Sequence, residues 1–254
     1  MTSRASHRSQ LLDRLRAEVS GRSVSTRAGD AMPLGLAAID AKLAQGGLSN
    51  ALHDLAPASP DLSQDAAATL FAAGMAGRFA AQGSSIVWAV SRFDLYAPGL
   101  EQAGLAADRI IFVEARTDDD VLAVMEDALR YGALAAVVGE VKRAGMTATR
   151  RLQLAASEGK TPALLLRKWR RRDICPLAEN SAATTRWRIG CVPSPARQTP
   201  GVNRQHWHVE LVRQRNGNPF SLTVEAWDAQ GRLALPAAVA DRAAAQAEPV
   251  SHVA

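Results

Sequence analysis

Five short apolar runs place the strongest limit on what this chain can fold into. They are ALHDL (51–55), SSIVWAV (84–90), RIIFVEA (109–115), LAAVVGEV (134–141) and PALLLR (162–167). Near-continuous runs of this kind are what strands buried on both faces look like. Between them lie stretches of about 10–16 residues with helical periodicity. The predicted helices cover 66–81, a segment from near Pro98, 118–131 and 147–158. Thr117 is placed to cap the third of these, with three aspartates in its first turn. Strands alternating with helices read as βαβ units with right-handed crossovers. The expected class is α/β, with a mainly parallel sheet flanked by helices.

The pattern changes after Arg172. TRWRIGCV, QHWHVELVRQR and FSLTVEAWD read as three antiparallel strands, the last two joined by the turn Asn216-Gly217-Asn218-Pro219. At the other end, Leu11, Leu12, Leu15 and Val19 recur at helical spacing within residues 7–20. Gly21 stops this amphipathic helix, and a polar linker follows. The helix either packs on its own domain or docks on a partner. The expected organisation is an N-terminal helix and linker (1–31), a core (32–235) and an Ala-rich tail expected to be frayed or disordered (236–254).

Composition agrees with this class. Of 254 residues, 47% are hydrophobic but only 5% aromatic, with Ala, Leu and Val carrying most of the apolar mass. That suits helices packed on a sheet. The charged first 20 residues do not read as a signal peptide, and no apolar stretch reaches the roughly 18 residues of a membrane span. Cys175 and Cys191 form no CxxC pair, as expected of a reduced cytosolic protein. His206 and His208 share a strand face, but two ligands alone make a poor metal site. No Ser/His/Asp or Cys/His arrangement is present, so no catalytic residue is assigned.

Net charge is +5, unevenly spread. From Lys142 to Arg215 there are 16 basic and 4 acidic residues, whereas the remainder has 14 basic and 21 acidic. The densest point is Arg167-Lys168-Trp169-Arg170-Arg171-Arg172. Five cations and an indole can neutralise phosphates and stack on an unpaired base. Following a buried strand, the run should emerge at the carboxyl edge of the sheet, where α/β folds bind ligands. It reads as a nucleic-acid contact, as a contact for an acidic protein surface, or as an exposed basic turn.

The order of these segments resembles the RecA core. GLAAIDAKLAQGGLSNALHDL is similar to the RecA-type lead-in to a nucleotide loop, and HWHVELVRQRNGNPFSLTVEAW to its late strand pair. ALLLRKWRRR stands where that fold runs into its second DNA-binding loop. A closer resemblance is to the ImuA family, carried by YAPGLEQAGL, ALRYGALAAVVGEV, AATTRWRI and WHVELVRQRNGNP. It implies a RecA-like accessory of SOS-induced, error-prone translesion synthesis. The implied partners are an ImuB-like Y-family polymerase homologue and an error-prone replicative-type polymerase. RecA and single-stranded DNA are further candidates, and the implied location is the cytoplasm, at the nucleoid after damage. The alternative is a SulA-like inhibitor of cell division, which would bind a tubulin-like division protein.

In a RecA-like frame the nucleotide machinery reads as lost, leaving a pseudo-ATPase without a cofactor. The loop after ALHDL is APASPDLSQDAA, with no Gly and no GK[ST]. Pro57 and Pro60 remove backbone donors, and Asp61 and Asp65 would repel phosphate. The magnesium-binding Asp expected at the end of the fourth strand is replaced by Gly139, with Glu140 expected to turn to the other face. A water-orienting acid after SSIVWAV is missing until Asp94. Gly159-Lys160-Thr161 imitates part of a phosphate loop but lies between a helix and the next strand, the reverse of the required order. It is expected to be a helix end capped by Gly159.

Overall fold

The structure is a computed structural model, which describes residues 31–81, 83–194 and 204–236. The elements in chain order are α1 (Ala37–Asp40), β1 (Leu52–Pro57), α2 (Leu62–Ala80), β2 (Ile86–Val90) and α3 (Ala97–Gln102). A 3₁₀ turn (Ala107–Arg109) leads into β3 (Ile110–Glu114), then α4 (Asp118–Tyr131), β4 (Ala136–Val141), α5 (Met146–Glu158) and β5 (Ala163–Arg167). A second 3₁₀ turn (Pro176–Ala178) precedes β6 (Thr185–Val192), β7 (His206–Gln214) and β8 (Phe220–Glu225). The expected N-terminal helix, with Leu11, Leu12, Leu15 and Val19, lies outside the described residues, as does most of the tail.

One eight-stranded sheet runs in the order β3-β2-β4-β5-β1-β6-β7-β8. The expected class holds: a mostly parallel sheet flanked by helices, with antiparallel strands at its C-terminal side. One detail differs. β6 is not purely antiparallel, since it runs parallel to β1 and antiparallel to β7. It closes the parallel part of the sheet and opens the antiparallel part.

Each sheet face has its own apolar core. On one, α2 packs with Leu55, Trp88, Val138, Leu164 and Leu166 from the strands. Phe71 of α2 sits among Trp187, Trp207 and Trp227, at ring distances of 6.0, 6.0 and 5.9 Å. The indoles thus anchor the late strands to an early helix, as expected of strand-packing tryptophans. On the other face, α4 and α5 cover Val137, Val141, Ala163 and Leu165. Thr117 caps α4 through a capping box with Asp120, and Gly132 ends it at φ 70°.

The carboxyl ends of the parallel strands meet at one edge, which the β1–α2, β2–α3, β3–α4, β4–α5 and β5–β6 connections line. Among the described residues, no helix is long and apolar enough to cross a membrane.

Candidate functional site

At the carboxyl edge, two ion clusters lie on opposite faces of the sheet. The first is on the α2 face. Lys168 Nζ sits 2.9 Å from Asp65 Oδ2, 3.1 Å from Glu140 Oε2 and 3.0 Å from Thr69 Oγ1. Glu140 Oε1 also accepts a hydrogen bond from the Trp88 indole, at 2.9 Å. Burial by itself would lower the Lys168 pKa, but the attraction of Glu140 and Asp65 outweighs it and holds the ammonium above its ordinary value.

This placement corrects the expectation for β4. Gly139 faces α4, where a Cβ would run into Met125, and Glu140 faces α2. Neighbouring strand residues alternate faces, and the phase is set by which of the two packs on α4. The acid at the end of β4 therefore stands beside the β1–α2 connection, already paired to a cation.

The second cluster is on the α4–α5 face. Asp54 Oδ2 lies 3.0 Å from Arg167 Nε and 3.2 Å from Arg186 Nε, and Asp54 is fully buried. Arg167 is 1% exposed, donates to the Ala144 carbonyl at 3.0 Å and reaches Glu179 at 3.3 Å. Burial first, with Arg167 and Arg213 nearby, lowers the Arg186 pKa, and Asp54 offsets part of this.

The six-residue basic run therefore divides. Arg167 and Lys168 are turned inward, each to carboxylates on its own face, so neither guanidinium nor ammonium is offered to a phosphate. Trp169 is half-buried, its indole N–H donating to the Pro57 carbonyl at 3.0 Å. Arg170, Arg171 and Arg172 are exposed. Arg171 pairs with Asp173 at 3.4 Å, but an exposed pair of this kind is worth little. The edge gathers further exposed cations that sequence reasoning did not single out: Arg92, Arg116, Lys142 and Arg143. Each directly follows a strand or lies within two residues of one, and that was their available signal.

Between the connections lies a cleft of about 310 Å³, lined among others by Ser59, Asp65, Arg92, Glu140, Lys168 and Trp169. The β1–α2 connection that borders it contains Pro60 and enters α2 at Leu62, earlier than expected, with Asp61 at the N-cap position. The Gly159-Lys160-Thr161 triplet precedes β5 and so lies at the opposite edge. Gly159 does follow α5, but its φ is −77°, and Lys160 takes the left-handed conformation at φ 50°. Glycine is required at 159 because a Cβ would run into the Leu129 carbonyl. Among the described residues, no group of His, Cys, Asp and Glu is arranged to hold a metal ion.

No protein-family model matches the chain. Two proteins named ImuA, from Caulobacter vibrioides strains NA1000 / CB15N and ATCC 19089 / CIP 103742 / CB 15, are each 39% identical to it over 153 residues. The alignment covers 58% of this chain and 63% of the relatives, so the chain spans a little under two thirds of the length of the curated relatives it matches. The resemblance to the ImuA family read from the sequence is borne out over that region. Among solved structures, the RadB recombinase superposes with a TM-score of 0.56 at 14% identity, covering 80% of this chain and 98% of RadB. This similarity bears on the fold alone, and it bears out the RecA-like class. SulA from Pseudomonas aeruginosa gives a TM-score of only 0.40 at 22% identity, over 46% of this chain and 97% of SulA.

Proposed function

We propose, from the ImuA likeness and the RecA-like fold taken together, that this protein is a non-catalytic accessory of DNA-damage-induced mutagenesis. In this reading it serves SOS-induced translesion synthesis as a scaffold. It binds an ImuB-like Y-family polymerase homologue and works beside an error-prone replicative-type polymerase, with RecA and single-stranded DNA as further partners. The face carrying Leu11, Leu12, Leu15 and Val19 is the proposed protein-docking element, although it lies outside the described residues.

The non-catalytic part rests chiefly on Lys168. Its ammonium lies between Asp65 and Glu140. A nucleotide site needs a lysine free to meet phosphate and a carboxylate free to meet magnesium. Here the two kinds of group neutralise each other, and a metal ion would have to displace the lysine. Pro57, Pro60, Asp61 and Asp65 add missing donors and unfavourable charge beside it. Titration calorimetry with Mg-ATP is expected to show no binding in the micromolar range, and phosphate release is expected to stay at the buffer rate. Micromolar affinity would overturn this part of the reading.

The DNA-binding part rests on Arg170, Arg171 and Arg172, backed by Arg92, Lys142 and Arg143 on the same edge. Changing all three arginines to glutamine removes about three phosphate contacts. The slope of log affinity against log salt for single-stranded DNA should then fall by about 2. Trp169→Ala is expected to weaken binding with little change in slope, because stacking releases no counterions. Fluorescence anisotropy over a salt series reads both. A triple variant that binds as the parent does at every salt concentration would move the arginines to an acidic protein partner.

A further inference from the structure

The two edges of the sheet are not treated alike. The outer strand β8 carries Ser221, Thr223 and Glu225, and Glu225 is bridged by Ala234. The other outer strand, β3, reads Ile-Ile-Phe-Val-Glu, and among the described residues no strand pairs with its outer side. Edges in soluble proteins are commonly blunted by lysine, proline or a bulge. β3 has none of these, and Ile111 is 51% exposed.

We propose that β3 pairs antiparallel with β3 of a second copy of this chain, about a two-fold axis at Phe112, joining two sheets into one. Three independent features select this occupant and register. The first is backbone polarity. The Ala115 N–H donates to the Val90 carbonyl, so residues 111, 113 and 115 point their backbone groups at β2. Residues 110, 112 and 114 then point theirs outward. With Phe112 opposite Phe112, Ile110 lies opposite Glu114; the Ile110 N–H already closes the preceding 3₁₀ turn on the Ala107 carbonyl, and the Phe112 N–H and carbonyl, the Ile110 carbonyl and the Glu114 N–H each meet a partner. The second is side-chain matching. The same register sets Ile111 against Val113, covering the exposed isoleucine with an apolar neighbour on its own face. The third is charge. Just beyond the strand ends, exposed Asp108 of one copy, in the 3₁₀ turn and 3.8 Å from its own Arg109, comes within reach of exposed Arg116 of the other, and the two-fold axis makes this contact twice. Shifting the register by two residues in one direction sets Asp108 against Glu114, and in the other buries Ile111 against Ala115.

Sedimentation equilibrium of the full chain over a concentration series tests this. The parent is expected to associate to a dimer in the micromolar range, and Ile111→Lys to remain monomeric with an unchanged circular dichroism spectrum. Asp108→Arg should weaken the dimer about tenfold, since two favourable contacts become repulsive. Adding Arg116→Asp to that variant should restore it. The exchange decides the matter even if Ile111→Lys fails to fold. A parent that stays monomeric at high micromolar concentration overturns the proposal. So does a dimer indifferent to Asp108→Arg, or one that the double exchange fails to restore.

Discussion

Replacing Asp54 by asparagine is expected to cost about 3–5 kcal/mol of folding stability, because it strips a buried charge from two guanidiniums. Asp54 is fully buried on β1, with Arg167 of β5 and Arg186 of β6 on the same carboxylate oxygen. These strands are the two neighbours of β1 in the sheet. Arg213 adds further positive charge at Arg186. Glu179, which reaches Arg167 at 3.3 Å, is itself partly exposed and compensates only in part. Asparagine keeps the volume, so the loss measures charge rather than a cavity. Urea unfolding followed by circular dichroism should show the midpoint falling with the slope unchanged. A loss below about 1 kcal/mol would mean that solvent or Glu179 already satisfies the arginines. The same cluster holds the start of the β5–β6 connection, so a destabilised Asp54 variant should also loosen Arg170–Arg172.

Acidification from pH 6.5 to 4 is expected to remove about 3 kcal/mol through His53 alone. The imidazole is fully buried, and its pKa is lowered from 6.5 to about 4, mainly by burial, with the Ser49 carbonyl opposing. That carbonyl lies 2.9 Å from Nε2 and can only accept, so Nε2 carries the proton of the neutral ring. Thr185 Oγ1 accepts from the Trp187 indole at 2.7 Å and gives its own proton to Nδ1, also at 2.7 Å. Below pH 6.5 the unfolded chain binds a proton that the folded chain refuses until about pH 4. Stability is therefore fully present above 6.5, falls as the pH drops through this window, and levels off below it. Urea midpoints measured across the window should show this slope in the parent and lose most of it in His53→Gln. An equal slope in both would assign the acid sensitivity to another group.

The strands and helices of the parallel half were legible because each announces itself locally. Apolar runs such as Ile86–Val90 need both faces covered wherever they end up, and SSIVWAV, LAAVVGEV and PALLLR each became a buried strand within two residues of the expected bounds. The Thr117 cap depends on groups three residues apart, and it formed as read. The likeness to ImuA and to the RecA core was likewise carried by contiguous segments.

The candidate site was only half legible. Local pattern was enough to place cations after β5, to show that the β1–α2 connection lacks phosphate-loop glycines, and to mark the tryptophans as packing residues. It could not say that Arg167 and Lys168 would turn inward to opposite faces, since their partners Asp54, Asp65 and Glu140 come from strands and a helix far away in the chain. Nor could it give the phase of β4, which hinges on Met125 of α4 filling the space over Gly139. Local pattern is set by neighbours within a few residues, so it survives in the sequence. Whether a charge faces solvent or a buried carboxylate depends on strand order and register, and those are decided only when distant segments pack together.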